Sequence, residues 1–384
     1  MSIQDLISKS YNRIIAYINF PLVYLFVFYK PIKTNKYFFI SMLGDNYGCN
    51  VKALSDYIGK IEPNAELVWG FSNRFYDKVD CACKKTKLYT FSFYYHILTA
   101  KYIIGNATMN KRILHKRPGQ IYLQTWHGTT IKRIGIDANV LNKMSSDNLE
   151  FDANEVNLYI SGSTYMAKII NEKLCYKGQV QITGYPRNDI FFKKNLDLKN
   201  KVYSYFNIPT NKKIILYAPT FRDDFSFDSY DVNLEYIKSF FGEGTSDDYV
   251  ILVRLHALML VQHENMQKYF GNYINATYYP DMQELLYCSD ILITDYSSSM
   301  FDFMYSYKPI IVYAKDYRTY ERGFYMTLGQ LPFIVAYDND DLKIKLQEFS
   351  YTDYKDSIDD FIKSLGSVED GCATERVYQL LKSI

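Results

Sequence analysis

Net charge is nearly missing from this sequence: 44 Lys and Arg stand against 42 Asp and Glu, a balance of +2. That argues against a general nucleic-acid binder, which carries a basic field over a whole face. Tryptophan and histidine are scarce, with 2 and 5 residues, so each position of either is worth tracing. No C-x-x-C pair exists among Cys49, Cys81, Cys83, Cys175, Cys288 and Cys372. This scatter argues against a zinc site and a disulfide framework, and it fits a reducing cytosol. No carboxylate cluster follows the predicted strands, so no divalent metal is called for by residues alone. No internal repeat or low-complexity tract is visible.

A membrane-spanning run is also missing. From Ile15 to Phe28 the chain reads "IAYINFPLVYLFVF" without a charge. That is shorter than the ~20 residues a spanning helix needs, and Asn19 and Pro21 interrupt it. Lysines follow it where a signal peptide would place small residues. Lys9, Arg13, Lys30, Lys33 and Lys36 flank it, which suits a segment lying in a membrane interface. A first helix packed on the protein's own core is the alternative.

What is present is apolar alternation. Apolar residues make up 48% of 384 residues, enough for two packed cores at about 100–200 residues per domain. Short β-rich runs recur at 36–42, 65–71, 101–107, 120–126, 156–161 and 180–184, and again at 213–220, 249–255, 276–279, 290–295 and 308–314. Several are apolar throughout, as expected of strands covered on both faces. Helical stretches lie between them, such as 163–174 behind a Ser/Thr cap signal and 281–289 behind an Asp. The pattern predicts an α/β chain of two parallel, doubly wound domains. The expected division is 1–33 for the interface segment, 34–195 for the first domain and 196–384 for the second.

Ligands of open α/β sheets bind outside the carboxyl ends of strands. The residues there include Gly44-Asp45, His127-Gly128-Thr129, Gly184 to Arg187, Thr220 with Arg222, Arg254 with His256, and Asp295 to Ser299. Hydroxyls, arginines and two histidines suit a phosphate-rich ligand that needs a base and cationic neutralisation. "TDYSSSMFDFMYSYKP" runs from a strand into Ser297, Ser298 and Ser299. A helix is expected behind them from Met300, Phe303, Met304 and Tyr307 at i, i+3, i+4, i+7, and a helix start with free hydroxyls favours an anion. Arg254 and His256, two apart at a strand end, point the same way; taken alone, a structural histidine explains them as well. In "QTWHGTT", Gly128 allows a sharp turn, and His127 is the side chain there whose unperturbed pKa, about 6.5, suits a neutral-pH base. His96, His115 and His263 sit in aromatic, basic and polar surroundings and read as structural or solvated. The basic loop 110–119 reads equally as a solvated loop or as a contact for anionic lipid or polymer.

Seven stretches in order, "SMLGDNYGCNVKAL", "QTWHGTTIKRIG", "GYPRND", "YAPTFR", "RLHA", "DMQELLYCSDILITDYSS" and "DYRTYERGFY", resemble the CDP-glycerol glycerophosphotransferase family of teichoic acid and capsule synthesis. The resemblance implies a GT-B-like fold, two Rossmann-like domains facing across a cleft, with an amino-terminal membrane-associated helical segment. It implies a peripheral protein on the cytoplasmic face of the membrane. Such a protein moves a polyol phosphate from a CDP-polyol donor to a hydroxyl of a lipid-linked or polymer acceptor and releases CMP. His127 would then be the base, and His256 beside Arg254 a donor-phosphate contact. The substrate-binding set would be Gly44, Asp45, Gly128, Thr129, Lys132, Arg187, Thr220, Arg222, Arg254, Asp295, Ser297, Ser298 and Ser299. Thr130 and Ala257 stand where the family usually has proline. A divalent cation arriving with the donor pyrophosphate is the one cofactor left open. The alternatives are a CDP-ribitol transferase, a nucleotide-sugar glycosyltransferase on the same architecture, or a scaffold with a degenerate site.

Overall fold

The computed structural model describes residues 14, 18–27, 29–79, 81, 83–138, 143–222, 229–242, 248–255 and 273–384. His256, His263 and most of the first 17 residues lie outside them. The first sheet contains β1 (Lys33–Ile40), β2 (Glu66–Phe71), β3 (Lys84–Lys87), β4 (Ala100–Gly105), β5 (Ile121–Gln124), β6 (Leu158–Ser161) and β7 (Gln181–Ile182). Its order is β3-β2-β1-β4-β5-β6-β7, and every pairing is parallel. The second contains β8 (Lys213–Tyr217), β9 (Tyr249–Val253), β10 (Ile274–Asn275), β11 (Ile291–Thr294), β12 (Ile310–Tyr313) and β13 (Ile334–Ala336). Its order is β10-β9-β8-β11-β12-β13, again all parallel. The strand order reverses between β1 and β4 and between β8 and β11, which opens a crevice at the carboxyl ends there.

Both faces of each sheet are buried, which is why the strands read as apolar runs. In β1, Phe38 and Ile40 join one core while Tyr37 and Phe39 join the other. Helix α1 (Cys49–Ile61) buries Val51, Leu54 and Ile58, one side of a 3.6-residue period. Helix α2 (Thr164–Lys173) starts where Ser163 accepts the Met166 N–H, and α3 (Met282–Cys288) where Asp281 accepts the Gln283 N–H, as their cap residues predict.

Four expectations are corrected. The run 276–279 is a turn beyond β10, not a strand; Tyr278 is exposed, and the Ala276 and Tyr279 carbonyls both accept from Arg254. Strands β3 and β13 were not anticipated. The β3 residues, KKTK, offer no apolar alternation because this edge strand pairs only with β2. The helix after the serine triplet is shorter than expected: α4 (Ser299–Phe303) tightens at Met304–Ser306, and Tyr307 turns left-handed at φ 57°. Finally, the chain's end leaves the second sheet. Helix α5 (Ala373–Ser383) places Val377 and Leu381 in the first sheet's core beside Tyr37, Leu54 and Ile58. Asp189 caps it from a distance, accepting the Ala373 and Thr374 N–H groups at 2.9 Å each.

The amino-terminal helical residues 18–27 have two apolar faces. Val23 and Val27 are buried, and Phe20 packs on the same core. Ile18, Leu22, Leu25 and Tyr29 are exposed, Leu25 at 73% and Tyr29 at 91%.

Leu381→Ala should lower stability by about 2–5 kcal/mol, the usual effect of emptying a buried leucine site. An unchanged urea midpoint would show that α5 is not part of the first core.

Candidate active site between the two sheets

The loop after β5 leaves the sheet through two left-handed positions, Trp126 at φ 52° and Gly128 at φ 119°. The first is strained for a side-chain-bearing residue. The residues beneath hold it there. Gln124, fully buried, accepts the Trp126 N–H at 3.1 Å and donates to Tyr122 Oη at 2.8 Å and Asp152 Oδ2 at 3.2 Å. Asp152 Oδ1 takes the Tyr122 hydroxyl and the Met109 N–H, each at 2.9 Å. Burial pushes its pKa up to about 6, against these donors. This network fixes the strand-end loop 106–109. The Asn106 side chain ties the same loop to β1, accepting from the Met42 N–H at 2.7 Å and donating to Ser41 Oγ at 3.1 Å.

His127 is aimed by that loop. Its Nδ1 lies 2.8 Å from the Asn106 carbonyl oxygen. A carbonyl only accepts, so Nδ1 carries the proton and Nε2 keeps its lone pair. Burial lowers the His127 pKa to about 4, and the Arg187 and Lys132 cations reinforce this; the Asn106 carbonyl opposes it. The imidazole is therefore neutral at pH 7, with Nε2 unprotonated.

On the second sheet, Asp295 follows β11; its Oδ2 is buried with no hydrogen bond and meets Arg222 as an ion pair. Its Oδ1 accepts from the Thr220 N–H at 2.9 Å and the Tyr296 N–H at 2.6 Å. Its Oδ2 lies 2.8 Å from Arg222 Nη2. Arg222 is spent there too: Nε and Nη2 hold Asp316 at 2.6 and 3.0 Å, and Nη1 holds the Thr220 carbonyl and hydroxyl at 2.9 and 2.7 Å. Tyr296 and Tyr320 cover the guanidinium, 5.2 and 5.4 Å from their centroids. Arg222 and Asp295 are thus built as a scaffold under the site. Offsetting a phosphate with Arg222 would strip two carboxylates of their cation.

Arg254 differs. Its side chain donates from Nη1 to the carbonyls of Ala276 and Tyr279 at 3.3 and 2.6 Å, and no carboxylate among the described residues pairs with it directly. Burial lowers its pKa to about 10, with Asp281 and Tyr279 opposing from nearby. It remains a cation held by neutral dipoles, the arrangement that favours an incoming anion. Among the serines, Ser297 Oγ accepts the Ser299 N–H at 3.2 Å and the Ser299 hydroxyl at 2.9 Å. Ser298 makes no capping bond and is half-buried.

The two halves meet at Gly128. A Cβ there would overlap the Arg187 guanidinium and come within 3.5 Å of Ser298 Cβ. So the His127 loop lies against the serine loop, and only glycine fits. Behind His127 the chain pairs with the stretch 323–325: Arg133 N–H bonds the Gly323 carbonyl at 3.1 Å, and Tyr325 N–H bonds the Ile131 carbonyl at 2.7 Å. Thr130, in place of proline, closes a local turn by accepting the Lys132 N–H at 3.0 Å, while Thr129 is buried beside it.

Gly44 and Asp45 stand apart from this arrangement. A Cβ on Gly44 would meet Ser72 N at 2.7 Å, so this glycine serves the close approach to β2. Asp45 takes the Ser72 hydroxyl at 2.5 Å and the Arg74 guanidinium. Arg187 is also occupied, by Asp302 at 2.7 Å. The residues missed from sequence are Asn106, Gln124, Asp152, Asp302 and Asp316. Asp302 had a usable signal, a lone carboxylate in the otherwise apolar helix start "SMFDFM". Asn106 had none, since its backbone carbonyl does the work. Among the described residues no group of three or more His, Cys, Asp or Glu is placed to hold a metal ion.

Comparison with known proteins shows the family. A teichoic acid glycerol-phosphate transferase of Staphylococcus aureus is 31% identical over 370 residues, 90% of this chain and 92% of its own. A teichoic acid poly(glycerol phosphate) polymerase of Staphylococcus epidermidis is 31% identical over 372 residues, 91% of this chain but 51% of its own, so the chain spans about half the length of that polymerase. A solved structure of the wall teichoic acid polymerase TagF superposes with a TM-score of 0.81 at 27% identity, covering 100% of this chain and 98% of that one. The sequence model of CDP-Glycerol:Poly(glycerophosphate) glycerophosphotransferase matches residues 22–383, and the chain belongs to that family.

Proposed function

We propose that this protein transfers glycerol phosphate from CDP-glycerol to a hydroxyl of a lipid-linked or polyol-phosphate acceptor, releasing CMP, in teichoic acid synthesis. One observation carries the reading: a neutral histidine with Nε2 free of its positioning bond sits on a loop that touches a serine-lined strand end of the opposite sheet. The CMP half of the donor lies over the second sheet, its pyrophosphate near Ser298 and Arg254; His256 joins them in this reading. The acceptor hydroxyl enters from the His127 side. Its oxygen attacks the β-phosphorus, its proton passes to His127 Nε2, and the bond to CMP breaks. Such transfers depend on placement and charge stabilisation more than on covalent chemistry. A divalent cation, where one takes part, enters with the pyrophosphate.

We also place the protein on the cytoplasmic membrane surface. No helix among the described residues is long and apolar enough to cross a membrane. The exposed stripe Ile18, Leu22, Leu25 and Tyr29 instead suits an interfacial position. The basic loop lies beside it: His115 stacks on Phe20 at 3.6 Å, and Arg117 bonds the Lys30 carbonyl at 3.0 Å.

Purified protein should release CMP from CDP-glycerol with a lipid-linked acceptor and not cleave nucleotide sugars. His127→Ala should lose ~10²–10⁴ in turnover while keeping its circular dichroism; near-native turnover by that variant would remove the base. The pH profile has a sign of its own. Burial, reinforced by the Arg187 and Lys132 cations, starts His127 near a pKa of 4, and the donor's negative charge offsets those cations. The acid limb of kcat should therefore lie at higher pH than that of kcat/KM, and the reverse order would contradict the site. Leu22→Glu with Leu25→Glu should weaken binding to phosphatidylglycerol vesicles by about 100-fold or more, as expected for losing two buried leucines; undiminished co-sedimentation would exclude the stripe as the anchor.

A further inference from the structure

Arg187 and Asp302 form an ion pair that joins the two sheets, and the proposed chemistry uses neither. Arg187 follows β7, while Asp302 lies on α4, three residues after Ser299. Arg187 Nη2 lies 2.8 Å from Asp302 Oδ1 and 2.7 Å from Oδ2, and both side chains are more than nine-tenths buried. Nη1 donates to Cys49 Sγ at 3.2 Å. Nε is buried without a hydrogen-bond partner, so the guanidinium is held by its nitrogen fork alone.

Each end of the pair reaches the site. The Arg187 N–H bonds Asn50 Oδ1 at 3.2 Å, and Asn50 Nδ2 donates to the Trp126 carbonyl at 3.1 Å, one residue before His127. Gly128 rests on the guanidinium itself. At the other end, Asp302 is part of the short helix that begins with Ser299. Asp302 therefore fixes the serine loop, and Arg187 with Asn50 fixes the His127 loop, through one contact. A crevice of ≈ 390 Å³ is lined by Arg187 together with Cys49, Lys52, Asp281 and Glu284.

We infer that Arg187 and Asp302 are positioning residues that set the distance between the His127 base and the phosphate-binding serines, and that Arg187 is not itself a donor-phosphate ligand. A buried pair of this kind adds little net stability, because desolvation offsets attraction; its use lies in fixing one arrangement. A shift of about 1 Å in such a site is enough to cost ~10²-fold in rate.

The kinetic part of the test rests on the CDP-glycerol reading, and a spectroscopic part does not. In the full chain, Asp302→Asn should lower kcat by about 100-fold while the donor Kd, measured by calorimetry without acceptor, stays within about threefold. Asp302→Glu, which keeps the charge, should recover at least about tenfold of that loss. The double variant Arg187→Gln/Asp302→Asn leaves no unpaired buried charge and carries the test if Asp302→Asn unfolds; it should be folded and still slow. Only two tryptophans exist. Trp69 is fully buried and the Trp126 ring lies tilted against His127 at 4.2 Å between centroids, so acrylamide quenching reports the His127 loop and should rise in both neutral variants. Native kcat in the double variant, or unchanged quenching with unchanged kcat, would overturn the inference. Donor affinity falling in parallel with kcat would overturn it too, since Arg187 would then be a ligand. A wild-type protein inactive toward CDP-glycerol, with quenching responding as expected, would count against the function and leave the clamp standing.

Discussion

A guanidinium removed from water must meet negative charge or bond dipoles, and this requirement organises the space between the two sheets. Arg222 meets it with Asp295 and Asp316, Arg187 with Asp302, and Arg254 with two backbone carbonyls. The first holds the end of β11 to the loop after β12. The second holds one half of the molecule to the other. The third pairs with no carboxylate among the described residues and is held there by backbone carbonyls. Three arginines that look alike as strand-end residues have three different tasks, and burial with partner chemistry separates them.

The same reasoning explains the setting of His127, the proposed base. A histidine in a half-buried loop, near two cations, would usually be a poor proton acceptor, because its pKa falls. The fold offsets this by orientation. One backbone carbonyl takes the Nδ1 proton, and a buried Gln–Tyr–Asp set keeps that carbonyl in place. A charged orienting partner would raise the pKa more, and would also sit as a like charge beside an anionic donor. A neutral carbonyl aims the ring without repelling the substrate.

The motif stretches also gain physical content. "DYRTYERGFY" supplies Asp316 for Arg222, an aromatic cover through Tyr320, and the short pairing of 323–325 with the chain behind His127. "GYPRND" supplies Arg187 for the clamp and Asp189 as the cap of α5. In the structure these residues bond to one another and to the backbone.

By itself the sequence determined the class of fold and which strand ends carry the polar and charged residues. Apolar runs buried on both faces, alternating with helical periods, made a parallel α/β chain legible. Strand-end positions then pointed to His127, Gly128, Arg254 and the serines. Local patterns suffice there because strand period, cap residues and turn glycines act over a few neighbours. The tertiary structure decided which charges are free and which are spent. Arg187 and Asp302 are 115 residues apart, and Arg222 and Asp316 are 94 apart; no local pattern encodes such a pairing. It also decided that α5 closes the first core, that the charged strand β3 edges the first sheet, and that Gly128 is needed for the guanidinium beneath it. The energy of a buried charge depends on what surrounds it in space, and that is set only when distant segments pack together.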